Sequence, residues 1–364
     1  MECGKVIFTC YLLRFPKVLI HARKPSTKNE VVPKKHKEIL TMTQKRPNSP
    51  LWATVNITGV CNLKCEYCFF QPRKHEHMTM INFRKVVNIL KAQKLFFLTL
   101  SGGEPFLHPE INNILKYAHN EFEHVTILSN GTYIKQENVV YMKEIIRKKG
   151  SFPMQVSLDA IDPDTNDKTR GNGSRVLKNL EFLRDAGVSL TIAIVVSSQN
   201  IEQVVKTIVA AKHLTRHFHI MPFKSVPFLD QGDQYLRSET VDMQKIWETL
   251  GNIRDTYDLQ IRLPTDECNS TTYSATGAPC VAGFTQIVID PDLDVRACSR
   301  CTHAIVGNLK YENLDSIWHG SKLGHIYKKD IPYCYESSEW EDAIEDPAFM
   351  RGKRGSRAEQ YQTT

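Results

Sequence analysis

The chain has no apolar run long enough to cross a bilayer as a helix. Its most apolar early segment, Val6 to Ile20, is broken by Arg14, Pro16 and Lys17, whereas a spanning helix needs about 20 apolar residues. The same segment lacks a small-residue cleavage site, so no secretory signal is read there. No Walker-type phosphate loop and no Ser-His-Asp arrangement is found, which sets aside the P-loop nucleotidases and the triad hydrolases. The 13 histidines show no metal-type spacing, and no internal repeat or long low-complexity tract points to a solenoid or a disordered protein. Cysteine is too sparse for a small secreted scaffold, at ten in 364 residues, and the close spacing of several of them suits metal ligation in a reducing cytoplasm.

What is present is an ordinary globular composition, 41% hydrophobic and 24% charged, with length enough for at least one large core and two or three domains. The net charge of +7 is concentrated at one end. Residues 1 to 50 carry eleven Lys or Arg against three Asp or Glu, an excess of eight, which leaves the rest at −1. A basic arm on a neutral body can be drawn to an anionic membrane surface, although a solvated leader is the commoner meaning of such a run. No nucleic-acid partner is expected.

From Leu51 onward short apolar runs alternate with segments of helical period, the pattern of β-α units around a parallel sheet. Strands are expected at Trp52 to Thr58, Leu95 to Ser101, His124 to Ser129, Met154 to Leu158, Leu190 to Val196 and His217 to Phe223. Helices are expected at Phe83 to Gln93, Glu110 to Asn120, Glu137 to Lys148, Ser174 to Ala186, closed by Gly187, and Ile201 to His213, with another near Thr240 to Tyr257. Six units make an incomplete (β/α)6 TIM-like barrel, whose chemistry belongs at the C-terminal strand ends. The pattern then changes: Thr285 to Ile289 and Val295 to Ala297 flank Asp290-Pro291-Asp292 as a hairpin. The expected division is a leader over 1–50, a barrel over 51–257, a small cysteine-rich α+β domain over 258–345 and a polar tail over 346–364.

Cys61, Cys65 and Cys68 form C-x3-C-x2-C directly after the first strand. Three thiolates leave one iron of a four-iron cluster open, free to chelate the amino and carboxylate groups of a methionine moiety. On spacing alone a zinc knuckle with a fourth ligand from elsewhere is an equal alternative. The second strand, however, runs into Ser101-Gly102-Gly103-Glu104-Pro105, where two glycines permit close backbone approach.

These two loops, in order at consecutive strand ends, resemble the radical S-adenosylmethionine (radical SAM) superfamily. The resemblance implies a 4Fe-4S cluster on the three cysteines and a glycine-rich loop, Gly102, Gly103 and Glu104, for the amino group of S-adenosylmethionine. By the same resemblance Tyr67 lies beside the adenine. Ser129, Asn130, Ser157 and Asp159 face ribose and carboxylate, and Arg170 pairs with the carboxylate through its planar fork.

A second cysteine set follows. Cys280 opens the hairpin and Cys298 closes it, with Cys301, then Gly307-Asn308-Leu309, a helix around Ser316-Ile317-Trp318, and Cys334. This resembles the SPASM or Twitch extension, which binds auxiliary iron-sulfur clusters. The chain departs from that pattern in having Leu293 where the family usually has a turn glycine, and in showing the late cysteine pair as Cys334 alone. One auxiliary cluster, on Cys280, Cys298, Cys301 and Cys334, fits the count. Cys268, Cys3 and Cys10 read as small buried hydrophobes. His217 and His219 alternate along the last strand and read as barrel-lining residues.

The resemblance implies reductive cleavage of S-adenosylmethionine to a 5'-deoxyadenosyl radical that takes hydrogen from an unactivated C–H bond. A peptide or protein side chain is the leading substrate, with a membrane lipid, polyol or cofactor precursor as the alternative. A one-electron donor such as flavodoxin or ferredoxin is the implied partner. The rival from another class is a catalytically silent iron-sulfur binding protein.

Overall fold

A computed structural model of the protein describes residues 47–65, 67, 68, 70, 76–223, 243–262, 283–299 and 305–323, all within a compact unit that starts at Thr43. The basic leader with Val6 to Ile20, Cys3 and Cys10 lies outside the described residues, as do Cys268, Cys280, Cys301, Cys334 and the polar tail.

The β-branched run Trp52–Thr58 forms β1, buried on both faces from Ala53 onward, as a strand with neighbours on either side and helices over it must be. Parallel strands follow as β2 (Phe97–Gly102), β3 (His124–Ser129), β4 (Pro153–Ser157), β5 (Ser189–Val196), β6 (His217–Pro222) and β7 (Gln260–Arg262). Between them lie α1 (Met80–Ala92), α2 (Ile111–Glu121), α3 (Gln136–Lys149), α4 (Pro163–Thr169), α5 (Gly173–Asp185), α6 (Val204–Ala211) and α7 (Met243–Tyr257). Helix α1 shows why these segments pack. Thr79 caps it by accepting from the Asn82 amide at 3.2 Å, and Phe83, Val86, Val87 and Leu90 form the apolar stripe it turns to the sheet, each buried side chain contributing roughly 1.5–3 kcal/mol. The sheet does not close, since β7 ends it on one side. This is the incomplete barrel.

On the other side the sheet continues through later sequence. Strand β8 (Gln286–Ile289) pairs in parallel with β1, and β9 (Asp294–Arg296) and β10 (Ile305–Asn308) follow antiparallel, ahead of α8 (Leu314–His319). One ten-stranded sheet therefore carries both the barrel strands and the hairpin. Trp318 on α8 donates its indole N–H to the Pro47 carbonyl at 2.9 Å, tying the hairpin region to the residues that lead into β1.

Three of the strands and helices just named have no counterpart among the sequence expectations. Strands β7 and β10, of three and four residues, are too short to establish a period. Helix α4, Pro-Asp-Thr-Asn-Asp-Lys-Thr, has no apolar stripe. Asp162 makes it a helix by accepting from the Thr165 amide at 3.0 Å and its hydroxyl at 2.6 Å, with Pro163 at the first helical position. The helix expected over Ile201 to His213 instead opens with a 3-10 turn at Ile201–Gln203 and is α-helical over Val204–Ala211.

The hairpin turn keeps the backbone form a glycine would give it. Leu293 adopts φ +73°, and its amide donates to the Asp290 carbonyl at 2.9 Å while its carbonyl accepts from Leu309 at 2.9 Å. A left-handed non-glycine residue costs roughly 1–2 kcal/mol; the Leu293 side chain, 1% exposed, offsets this by burial.

Truncating that side chain should therefore invert the usual rank of alanine and glycine. Leu293→Ala loses the burial and keeps the strain, a loss of about 2–5 kcal/mol. Leu293→Gly loses the same burial but relieves the strain, so it should be the more stable of the two by up to about 1 kcal/mol in urea unfolding. An alanine variant at least as stable as the glycine variant would contradict the strained turn.

Candidate functional site

The C-terminal ends of β1 to β4 converge on one group of loops. After β1 the cysteine loop turns back on itself, with the Cys68 amide donating to the Cys65 carbonyl at 3.1 Å. Cys65 is buried, while Cys61 and Cys68 are half-buried. N–H groups point at the sulfur of Cys61, the Leu63 amide at 3.4 Å and Asn130 Nδ2 at 3.7 Å. Burial pushes the Cys65 thiol up, and the Arg170 guanidinium pulls it the other way.

The loop after β2 is fastened to the loop after β1 through backbone alone. The Gly103 amide donates to the Thr58 carbonyl and the Glu104 amide to the Val60 carbonyl, both at 2.7 Å. A Cβ on Gly102, which sits at φ +138°, would lie 2.2 Å from the Thr58 oxygen, and one on Gly103 would lie 2.1 Å from the Val60 oxygen. Both positions exclude any side chain. The close approach expected of these glycines is thus made to the segment leading into Cys61, and two loop amides are used in making it.

Glu104 is fully buried and acts as a clamp between strand ends. Its carboxylate accepts from the Phe106 amide at 3.1 Å, the Ser129 hydroxyl at 2.9 Å and the Asn130 amide at 2.7 Å. Ser129 passes the contact on by accepting from the Gly131 amide at 2.9 Å. Asn130 reaches back to the cysteine loop through Asn62 Oδ1 at 3.1 Å, and its own oxygen accepts from Thr132. Ser129, Asn130 and Glu104 therefore form one network against Cys61.

Tyr67, Asp159 and Arg170 form the other. Asp159, at the end of β4 and fully buried, accepts from the Tyr67 hydroxyl. It also accepts from the Thr169 hydroxyl at 2.9 Å and the Val195 amide at 3.0 Å. Arg170 Nη1 donates to the Tyr67 oxygen at 2.5 Å, and lies 3.8 Å from the Asp159 carboxylate. Burial holds the Tyr67 phenol well above its ordinary range. For Arg170 burial opposes the charge, but Tyr67 and Asp159 outweigh it and the guanidinium stays firmly protonated. Ser157, half-buried at the end of β4, makes no side-chain hydrogen bond among the described residues.

Sequence reasoning passed over the residues that hold this second network. Asn166 accepts from the Asp159 amide at 3.0 Å, and Asn200 donates to the Asp159 carbonyl at 3.0 Å. Asn166 and Thr169 lie on α4, whose Asp162-Pro163 opening was the available signal. Of the two strand histidines, His219 pairs through Nδ1 with Gln155 Oε1 at 3.2 Å, across the intervening β5, while burial and Arg216 lower the pKa of His217.

The donor set fits an iron-sulfur cluster. Three thiols share one loop, N–H donors face the Cys61 sulfur, and the Arg170 guanidinium acts on Cys65, surroundings that suit sulfur ligands to iron. Among the described residues no three His, Cys, Asp or Glu side chains converge closely enough to hold a single metal ion; a four-iron cluster takes its ligands at separate corners. At the hairpin Cys298, half-buried just beyond β9, is the described member of the second set. Among the described residues no helix is long and apolar enough to cross a membrane.

Burial raises the Glu104 carboxyl to about 7, against three hydrogen bonds and Arg170, which lower it. The folded chain therefore holds this proton at pH values where the unfolded chain has lost it. The associated stability is full below about 4.5 and is lost as pH rises through about 7. Unfolding of the cluster-free protein in urea should show this decline across pH 4.5 to 7 and show it flattened in Glu104→Gln. An unchanged slope in that variant would locate the titration elsewhere.

The sequence profile of the Radical SAM superfamily matches residues 55–211, and that of the SPASM domain, an iron-sulfur cluster-binding domain, matches residues 280–337. The antilisterial bacteriocin subtilosin biosynthesis protein AlbA of Bacillus subtilis is 26% identical over 78% of this chain, which spans 62% of that protein's length. The mycofactocin maturase MftC of Mycolicibacterium smegmatis is 24% identical over 76% of this chain and 72% of its own. Among solved structures, Streptococcus suis SuiB bound to S-adenosylmethionine superposes with a TM-score of 0.65 at 18% identity, over 81% of this chain and 71% of that one. The cofactors are those of the two matched domains, a 4Fe-4S cluster with S-adenosylmethionine and an auxiliary iron-sulfur cluster. The chain thus carries a radical SAM superfamily domain followed by a SPASM iron-sulfur cluster-binding domain.

Proposed function

We propose that this chain is a radical SAM enzyme that modifies a peptide or protein side chain, taking hydrogen from an unactivated C–H bond. The observation that carries the reading is the backbone lock between the two strand-end loops: Gly103 and Glu104 bonded to Thr58 and Val60 at 2.7 Å, directly before Cys61. When bound, the cluster and S-adenosylmethionine supply an electron and a 5'-deoxyadenosyl radical to the site.

The chain's own residues bind, orient and exclude water. Cys61, Cys65 and Cys68 hold the cluster, with Asn130 and the Leu63 amide donating to the first sulfur. Gly102, Gly103 and Glu104 shape the wall for the cofactor amino group. Ser157, whose hydroxyl makes no hydrogen bond among the described residues, and Asn130 offer polar atoms to the ribose. Arg170, already charged and fixed by Tyr67 and Asp159, offers its fork to the carboxylate, with Tyr67 beside the adenine. Cys280, Cys298, Cys301 and Cys334 hold one auxiliary cluster in the domain over 258–345, and a flavodoxin or ferredoxin delivers the electron.

The peptide substrate is favoured by the relatives. AlbA is named for subtilosin biosynthesis, MftC is a maturase, SkfB of Bacillus subtilis is a sporulation killing factor maturation protein, and SuiB has been solved with its precursor peptide SuiA. A second reading, a cofactor precursor as substrate, is favoured by the AdoMet-dependent heme synthase of Methanosarcina barkeri, 29% identical over 55% of this chain. The membrane-lipid reading and attachment at a membrane surface rest on the basic leader, which lies outside the described residues.

Anaerobic reduction with S-adenosylmethionine should yield 5'-deoxyadenosine from the wild type and none from the Cys61, Cys65, Cys68 triple alanine variant, followed by liquid chromatography. Substantial product from the variant overturns the assignment, and none from the wild type leaves the silent iron-sulfur protein. Bound iron should be about eight atoms per chain by four-iron stoichiometry, falling by about half in a Cys280→Ala, Cys298→Ala double variant. A wild type with one cluster's worth of iron would remove the auxiliary site.

A further inference from the structure

Arg296 on β9 is a large cation with almost no access to water, 1% exposed. Its fork is satisfied on one side by Asp290, with Nε to Oδ2 at 2.6 Å and Nη2 to Oδ1 at 2.8 Å. Asp290 also accepts from Asn56 Nδ2 on β1 at 2.8 Å, so the pair is anchored to the strand that leads into the cysteine loop. A hairpin staple would need no more than this. Arg296 goes further: its Nη1 donates to the backbone carbonyls of Cys298 and Ser299 at 3.3 and 3.1 Å. The same guanidinium stands 5.8 Å from the centre of the Phe70 ring, and Phe70 follows Cys68 by two positions. One buried side chain thus touches the segment that carries Cys298 and the segment that carries Cys68.

We propose that Arg296 is a positioning residue that fixes the Cys298 loop against the Cys68 segment, so that the two iron-sulfur sites are held in one geometry. The inference rests on the reading of Cys298 as a cluster ligand. Bonds to the carbonyls at 298 and 299 set the direction in which the Cys298 side chain leaves the backbone. Donors and charges placed around a cluster's ligands tune its potential. Lysine cannot replace this arrangement, because a point charge cannot span a carboxylate and two carbonyls at once.

The test uses the full chain, reconstituted with iron and sulfide without oxygen, as wild type, Arg296→Lys, Arg296→Gln, Phe70→Leu and Cys298→Ala. Iron per chain, the low-temperature electron paramagnetic resonance spectrum of the reduced protein and a redox titration are read on each. Both Arg296 variants should lose iron toward half of the wild-type content while the signal of the Cys61, Cys65, Cys68 cluster persists, and the lysine variant should resemble the glutamine variant. Phe70→Leu leaves the Arg296 to Asp290 pair in place and should keep its iron, but shift the midpoint potential of the auxiliary cluster. Arg296 variants with wild-type iron, spectrum and potential would overturn the proposal, as would a Phe70→Leu protein with an unshifted auxiliary potential. If the Arg296 variants fail to fold, Phe70→Leu decides alone. Full iron in Cys298→Ala would instead show that Cys298 is not a ligand, a failure of the underlying reading that the Arg296 data do not share.

Discussion

Two parallel strands end side by side at the centre of the sheet, and their loops must pass within backbone contact of one another. At Gly102 and Gly103 even a methyl group would fall about 2 Å from a carbonyl oxygen of the neighbouring loop, far inside van der Waals contact. In exchange the two loops share hydrogen bonds from Gly103 to Thr58 and from Glu104 to Val60. The cysteine loop is thereby held by main-chain hydrogen bonds that depend on no side-chain rotamer. A cluster whose ligands come from one short loop needs such a support, since the loop has little hydrophobic core of its own to fix it.

The buried charges around this lock follow from it. Glu104 is carried into the interior by the loop, where desolvation is costly unless donors meet it, and three donors do so. That demand recruits Ser129 and Asn130, and so couples the end of β3 to Cys61. Asp159 and Arg170 sit at the next strand end and share Tyr67 between them. The Arg296 and Asp290 pair repeats the pattern on the far side of β1. In each case the partners of the buried group include some from a different loop or strand, Asn130 for Glu104, Tyr67 for Asp159 and Asn56 for Asp290, and the segments are joined in consequence. Removing one member of a buried pair typically costs about 3–5 kcal/mol, so these joints are not incidental to stability.

The sheet order from β1 to β6 was legible because apolar runs alternated with amphipathic helices such as α1, and the bounds of β1 and β3 coincide with those expected. The cysteine and glycine loops were legible because their chemistry allows few other residues. Helix α4 was hidden because it is held by capping and proline rather than by an apolar stripe. The pairing of β8 with β1 was hidden for a different reason: it joins residues more than two hundred positions apart, and no local period records it. Two partners of Asp159, Asn166 and Thr169, were missed with α4, to which they belong. Arg296 drew no notice in the sequence, because nothing in a three-residue strand shows that its one arginine is buried. Leu293 marks a departure from the family's glycine that the backbone nevertheless follows.

The central claim is that the strand-end loops of β1 and β2 together present one cluster with an iron open to S-adenosylmethionine. The most direct measurement is the electron paramagnetic resonance spectrum of the reduced, reconstituted protein before and after addition of S-adenosylmethionine, for the wild type and for Gly103→Ala. The account predicts that the cofactor changes the four-iron signal of the wild type, and that the single added methyl, which has no room beside the Val60 carbonyl, abolishes that change. A wild-type spectrum indifferent to S-adenosylmethionine would contradict it.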